Sequence, residues 1–292
     1  MAAQNPSRRH HHAPQFYLRP WTAADGCLWR YSRAPNGKLC EDRKSPKSVG
    51  FEFDLYATTP TTPFERWPVD IVEKQVMAPL DDAAARVHSK LTALEPTTDL
   101  SDDERVSWAR FLNSLMERHP RELAERDAAA VRIATELCAE YRHRWPAPAD
   151  QARVEAALAN YDHEATARNT VRTAMVQEIR SGTFLDHVIN EHEWMVFAPV
   201  EGAFITSDRP LIVNGGDTQT RPVHWVTLAL GPQHLFVSHP RAWLAEPDRL
   251  KEQLATTALI HNMLIVFARP AALFWLSIRF GGSAALPETV SG

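Results

Sequence analysis

An α+β fold is what the order of hydrophobic patterns predicts, and three observations carry the expectation. Short alternating runs between residues 15 and 56 read as strands. A period of three to four governs the chain from about 64 to 190, and short apolar runs parted by turn residues return after 190. Strands, then helices, then strands again argue against a doubly wound sheet, in which the two alternate throughout. The expected architecture is an N-terminal β-hairpin and third strand, a central helical region, and C-terminal antiparallel strands, all joining one mixed or antiparallel sheet. With 292 residues the chain can bury a full core. It is read as a single domain over 1–292, with the helices as a subregion.

In order along the chain, "QFYLRPW" alternates, with Phe16 and Leu18 on one face and Gln15, Tyr17 and Arg19 on the other. "TAADG" supplies turn residues and "CLWRYSR" alternates again, so the pair reads as the hairpin. "APNGKLCEDRKSPK" reads as a loop from its Pro, Gly and charges. "SVGFEFDLYA" is the third strand, with Phe51, Phe53 and Leu55 opposite Glu52, Asp54 and Tyr56.

The helical region opens with Val69, Val72 and Val76 on one stripe, and a second helix is expected over residues 80–94. "SDDERVSWARFLNSLMERH" begins with a capping box, Ser101 to Glu104, and aligns Trp108, Phe111, Leu112 and Leu115 on one face before Pro120. A helix with Pro120 in its first turn reaches about Trp145. Another spans about 150–180, with Val154, Leu158 and Tyr161 inward. "EWMVFA", "AFITSD", "LIVN", "HWVTLAL" and "HLFVSH" are the returning strands. A helix over about 247–268 and a last strand in "LFWLSIRF" complete the expectation.

Composition narrows the class. Apolar residues make up 44% and charged residues 23%, an ordinary globular balance. No apolar run approaches the roughly 20 residues that a membrane-spanning helix needs, and "MAAQNPSRRHHH" lacks the apolar core of a signal peptide. Cys27, Cys40 and Cys138 are odd in number and without C-x-x-C spacing, which suits a reducing cytoplasm. Net charge is −4, yet residues 1–50 carry nine Lys/Arg against Asp25, Glu41 and Asp42, a local balance of +6. That is either a solvated basic edge or an anion-binding surface.

Two constellations could carry chemistry. His10 and His11 precede a strand in "RRHHHAPQFYLRPW", and Glu52, Asp54 and Glu73 are the acids that the fold could bring beside them. Imidazole and carboxylate serve as general acid and base, and they equally suit a divalent metal, which is among the cofactors such a set could hold. The competing reading is a set of hydrogen bonds and ion pairs tying the N-terminal arm to the sheet. The second constellation is "ITSDRP", where Ser207 and Asp208 read as a turn that satisfies local amides, or as an orienting donor and a base at a strand end. "RSGTFLDH" is set aside because Gly182 interrupts its helix, and "DHVINEHE" is not H-E-x-x-H. No P-loop, strand-borne G-x-G-x-x-G, kinase set, nucleophile elbow or zinc-ribbon spacing is present.

"RHHHAPQFYLRPW", "GFEFDLYA" with "VDIVEK", "EWMVFAPVEGAFITSDRPLIV" and "VTLALGPQHLFV" occur in an order that resembles domain-of-unknown-function family 4238, a mostly bacterial family. Its His-His-x-x-Pro-x-x-Tyr-Leu stretch falls on His10, His11, Pro14, Tyr17 and Leu18, and its Ser-Asp-x-Pro turn on Ser207, Asp208 and Pro210. His12 stands where the family more usually has an aromatic, and is expected to be exposed and dispensable. The resemblance implies architecture but no reaction.

The expected function is that of a bacterial cytoplasmic hydrolase, a nuclease among the options because of the basic N-terminal region. Its catalytic residues would be His10, His11, Glu52, Glu73 and Asp208, with Arg19, Arg30 and Ser207 contacting substrate. Nucleic acid is the partner considered, and no membrane is expected. The alternative is a non-catalytic protein that binds an anionic ligand or partner, in which the His/acidic cluster is structural.

Overall fold

The computed structural model describes residues 6–34, 36–61, 68–144, 148–199, 202–215, 223–245, 261–263, 265 and 274–276. Strand β1 (Arg9–His11) leads into a short helix α1 (Gln15–Leu18) and a 3-10 turn, Arg19–Trp21. Strands β2 (Leu28–Arg33), β3 (Leu39–Lys44) and β4 (Phe51–Phe53) follow. A π-helical turn, Glu73–Met77, runs directly into α2 (Ala78–Thr92). Then come α3 (Asp102–Glu117), α4 (Pro120–Arg144), α5 (Pro148–Ala159), α6 (His163–Ser181) and the short α7 (Thr183–Asp186). The later strands are β5 (His192–Phe197), β6 (Thr206–Ser207), β7 (Ile212–Gly215), β8 (Val223–Gly231), β9 (His234–Pro240) and β10 (Phe274–Leu276).

The α+β class holds. Among the described residues the strands divide among three sheets instead of one: β1-β4, β3-β2-β10-β6 and β5-β9-β8-β7, with every pairing antiparallel. The hairpin does join C-terminal strands, since β2 lies beside β10 and β10 beside β6. It does not join the larger C-terminal sheet.

"QFYLRPW" is helical and not a strand. Pro14 supplies an extended N-cap (φ −63°, ψ 147°), and Pro20 sits inside the following 3-10 turn. Tyr17, Leu18 and Trp21 are buried whereas Arg19 is exposed, a spacing of three to four that alternation of Phe16 and Leu18 had masked. The hairpin partner of β2 is therefore β3, drawn from the stretch that its charges had marked as loop. Its turn closes with Gly37 N–H donating to Ala34 O at 2.8 Å, Gly37 adopting φ 82°.

The helical region follows its sequence signals closely. Ser101 Oγ accepts from Glu104 N at 3.3 Å, while the Glu104 carboxylate accepts from Ser101 N at 3.0 Å, so the capping box forms. Trp108, Phe111, Leu112 and Leu115 are all buried. The expected helix over 150–180 is two helices. Asp162 caps α6 by accepting from Ala165 N at 2.9 Å, and Tyr161, in the break, is exposed instead of inward. The expected C-terminal helix lies mostly outside the described residues, although 261–263 and 265 are helical.

The main core lies between α1, α2, α3 and the β5-β9-β8-β7 sheet. Its centre is aromatic: Trp108 and Trp194 meet the Phe236 ring edge-on at 5.7 and 5.5 Å. Two polar groups buried with it are tied to backbone. Trp194 Nε1–H donates to Val188 O at 2.9 Å, and His88 Nε2–H donates to Leu230 O at 2.8 Å, joining α2 to β8. Among the described residues no helix is long and apolar enough to cross a membrane.

Trp108→Ala should cost about 3–5 kcal/mol and Ser101→Ala about 1 kcal/mol in urea unfolding. A Trp108 variant as stable as the parent would displace the aromatic centre from its assigned role.

Candidate functional site

The N-terminal strand is fastened before any chemistry is possible. In the β1–β4 pair His10 lies opposite Glu52 and His11 opposite Phe51. Asp54 then takes a left-handed conformation (φ 58°) and donates its N–H to Arg8 O at 2.8 Å. That turn brings Tyr56 N–H onto His10 Nδ1 at 2.8 Å, so Nε2 carries the imidazole proton and donates to Ser7 O at 3.0 Å. The His10 ring stacks on Tyr56 at 5.3 Å. Both ring nitrogens are thus engaged, and the geometry of His10 is that of a clasp. Glu52 is exposed, and Asp54 forms an ion pair with Arg8.

The chain next turns inward at His12. Gly50 O accepts from both His12 N and Ala13 N, at 2.9 and 3.0 Å. Gly50 adopts φ 66°, and a Cβ there would lie 2.9 Å from both Ala13 Cβ and Ala13 O, so the close approach requires glycine. His12 is consequently 7% exposed, contrary to the expectation of a solvent-facing residue. Its ring meets His119 edge-on at 5.8 Å, and its Nδ1 is buried without a hydrogen bond.

His119 stands between α3 and α4. Its Nδ1 accepts from Arg121 N at 3.3 Å, which aims Nε2 towards Asp208 Oδ2, 3.7 Å away. Asp208 follows β6 in the Ser-Asp turn. There Ser207 Oγ accepts from Arg209 N at 3.1 Å, and the Arg209 guanidinium pairs with Glu122 of α4. The turn reading of Ser207 is therefore realised, and it carries Asp208 to the start of α4.

Arg118 is the centre of the cluster. It is fully buried, donates from Nη1 to Asp81 Oδ1 at 2.9 Å, and has Nε and Nη2 without hydrogen bonds. Its carbonyl and that of His11 both receive the Tyr56 hydroxyl, at 3.5 and 3.2 Å. Glu73, first residue of the π-helical turn, has Oε2 buried without a hydrogen bond. Burial, reinforced by the Asp81 and Asp70 carboxylates and opposed by Arg118, pushes the Glu73 carboxyl up to about 7. Burial likewise raises Asp81 above the usual carboxylate range, against the pull of Arg118. Burial, then the Arg118 charge, lowers His11 to about 4. Burial, then His119 and Arg118, lowers His12 to about 3.

Of the residues expected from sequence, His11, Glu73, Ser207 and Asp208 come to this region, and His10 clasps the strand beside it. Glu52, Arg19 and Arg30 lie apart. Arg19 is exposed, and Arg30 is held by the Asp42 carboxylate through Nε and Nη2 at 2.8 and 2.6 Å. Other basic side chains of the N-terminal region are also paired: Arg8 with Asp54, Arg43 with Asp25, Lys44 with Asp42. Arg118, His119, Asp81 and Tyr56 were not anticipated. The signal for the first two was "ERHP", an Arg-His pair placed where a helix must stop before proline. Among the described residues no group of three or more His, Cys, Asp or Glu is placed to hold a metal ion.

Titration should therefore unsettle the fold from both sides, histidine protonation in acid and Glu73 ionisation above neutrality. The histidine values lie below the unfolded value of about 6.5. Their contribution is complete above that pH and is lost as pH falls towards about 4 for His11 and His88. Glu73 is raised, so its contribution is present in acid and lost as pH rises through about 7. Urea midpoints should fall between pH 6.5 and 4, and Glu73→Gln should stabilise the protein at pH 8. A Glu73→Gln variant less stable than the parent at pH 8 would contradict this assignment.

No curated protein and no solved structure matches the chain. The family model described as "Protein of unknown function (DUF4238)" matches residues 9–269. That span includes β1, the Arg118 cluster and the Ser-Asp turn, and the chain belongs to the DUF4238 family.

Proposed function

We propose that the protein is a hydrolase of an anionic substrate, with its site around Arg118. The observation that supports this reading is Glu73. A buried carboxyl with an unbonded oxygen, poised to ionise near neutrality beside a buried guanidinium, is the arrangement a general acid requires. Its position in a π-helical turn is consistent, since such turns frequently occur at functional sites. In this reading water attacks the scissile centre and releases its proton to solvent, Glu73 donates a proton to the leaving group, and Arg118 holds the substrate's negative charge. Asp208 orients His119 at the margin of the site. The basic N-terminal region keeps a nucleic-acid backbone as the substrate proposed first, and the three free cysteines support a bacterial cytoplasmic setting.

One observation favours the alternative, a non-catalytic protein that binds an anionic ligand. The Nδ1 atoms of His10 and His119 both accept backbone N–H groups, so neither imidazole lone pair is free to receive a substrate proton. The two readings separate on Glu73. Glu73→Gln should reduce hydrolysis of a phosphodiester substrate by about 10²–10⁴-fold while the thermal unfolding temperature is kept. Wild-type activity should decline as pH rises through about 7, because the acid must be protonated. Full activity in the Gln variant would remove the catalytic reading.

Nucleic-acid binding has its own signature. If phosphates dock on the basic region, affinity for DNA or RNA should fall steeply with salt as counterions are released. Binding that ignores ionic strength would point to a different substrate class.

A further inference from the structure

A guanidinium can grip an oxyanion with two parallel hydrogen bonds, either end-on through Nη1 and Nη2 or side-on through Nε and Nη2. Both modes occur in this protein. Arg172 meets Asp127 end-on, with both contacts at 2.8 Å. Arg30 meets Asp42 side-on, at 2.8 and 2.6 Å. Arg118 departs from this pattern. Nη1 holds Asp81, while the Nε and Nη2 edge is buried and makes no hydrogen bond. Phe111 lies 5.6 Å from Cζ, a contact that draws the cation to the ring without replacing two hydrogen bonds. Leaving charged N–H groups buried and unbonded is unfavourable; Arg105, Arg110 and Arg172 each leave one such nitrogen, whereas Arg118 leaves a whole two-nitrogen edge.

We propose that the Nε/Nη2 edge of Arg118 binds an oxyanion carried by a ligand, a carboxylate or phosphate-class group, with the buried His12 imidazole contributing to the same site. This deepens the reading of the cluster as a substrate site and rests on that reading for the ligand's role. His12 belongs with it because its buried Nδ1 is also unbonded and its ring lies within the field of Arg118. The nearest partly solvent-facing groups are the Asp81, His119 and Asp208 side chains, 21%, 11% and 15% exposed. The nearby acids do not all oppose an anion: Asp81 is already bonded to Nη1. Glu73, which faces Asp81, Asp70 and Arg118, repels one only when it ionises. His11 and His12 stay neutral across the working range.

The test uses the full chain and two probes, sulfate and acetate, whose charges are constant between pH 6 and 8. Titration calorimetry should show binding of at least one at millimolar concentration. Sulfate identifies a phosphate-class ligand, and acetate alone a carboxylate. Arg118→Lys keeps the charge for Asp81 but lacks the side edge, and should weaken binding by at least about tenfold. Wild-type affinity should be higher at pH 6 than at pH 8, and Glu73→Gln should abolish that difference. No binding of either probe, or equal binding by Arg118→Lys, overturns the proposal. If Arg118→Lys does not fold, Glu73→Gln decides, and failure to tighten binding at pH 8 overturns it. Oxyanion binding without hydrolysis would sink only the hydrolase reading. Hydrolysis without oxyanion binding would sink only this one.

Discussion

Burying a guanidinium is the constraint from which the rest of this region follows. A fully buried charge requires partners that stay with it, because removing water from an ion costs several kcal/mol that only good geometry offsets. Arg118 meets this with Asp81 from the first turns of α2 and with the aromatic face of Phe111 from α3. Its carbonyl in turn receives Tyr56 from the segment after β4. Three stretches of chain, distant in sequence, are thereby referred to one residue at the end of α3.

The same charge dictates the state of its neighbours. Imidazoles near a buried cation are held neutral, and a neutral imidazole can accept a backbone N–H where a protonated one cannot. His10 relies on neutrality that burial chiefly provides: its Nδ1 accepts from Tyr56 N, and the acceptor would vanish on protonation. His119 Nδ1 also accepts a backbone N–H, at the start of α4, where a helix otherwise leaves N–H groups unsatisfied. At the histidine-rich start of the chain, burial and the Arg118 charge keep His11 and His12 neutral, while His10 serves as both acceptor and donor in the strand clasp. Glu73 responds in the opposite sense, since burial and two carboxylates outweigh the single cation.

Much of the helical region was legible in the sequence. The Ser101–Glu104 box, the face running through Trp108, Phe111, Leu112 and Leu115, and Pro120 in a first turn are local signals, complete within a few residues. The same holds for the Ser207 turn. "QFYLRPW" misled because Phe16 and Leu18 satisfy a period of two, while Tyr17, Leu18 and Trp21 satisfy one of three to four. Only the burial of Tyr17 and Trp21 against β8 and β6, with the Tyr17 hydroxyl donating to Ala229 O and meeting Thr206 Oγ1, distinguishes them. Leu39–Lys44 hid for the converse reason: a polar edge strand lacks the apolar alternation by which strands are read.

His11, Glu73 and Asp208 could be named in advance because their residue types carry chemistry. Their common neighbour could not, since nothing within "ERHP" says that one arginine will be buried. The sequence by itself determined the capped start of α3 at Ser101, the proline-marked start of α4, and that no familiar nucleotide or metal motif is present, because those properties depend on near neighbours. Tertiary structure alone decided that His12 turns inward, that Arg30 is consumed by Asp42, and that Arg118 gathers the site. Burial and electrostatic field are sums over residues that only folding brings within reach of one another.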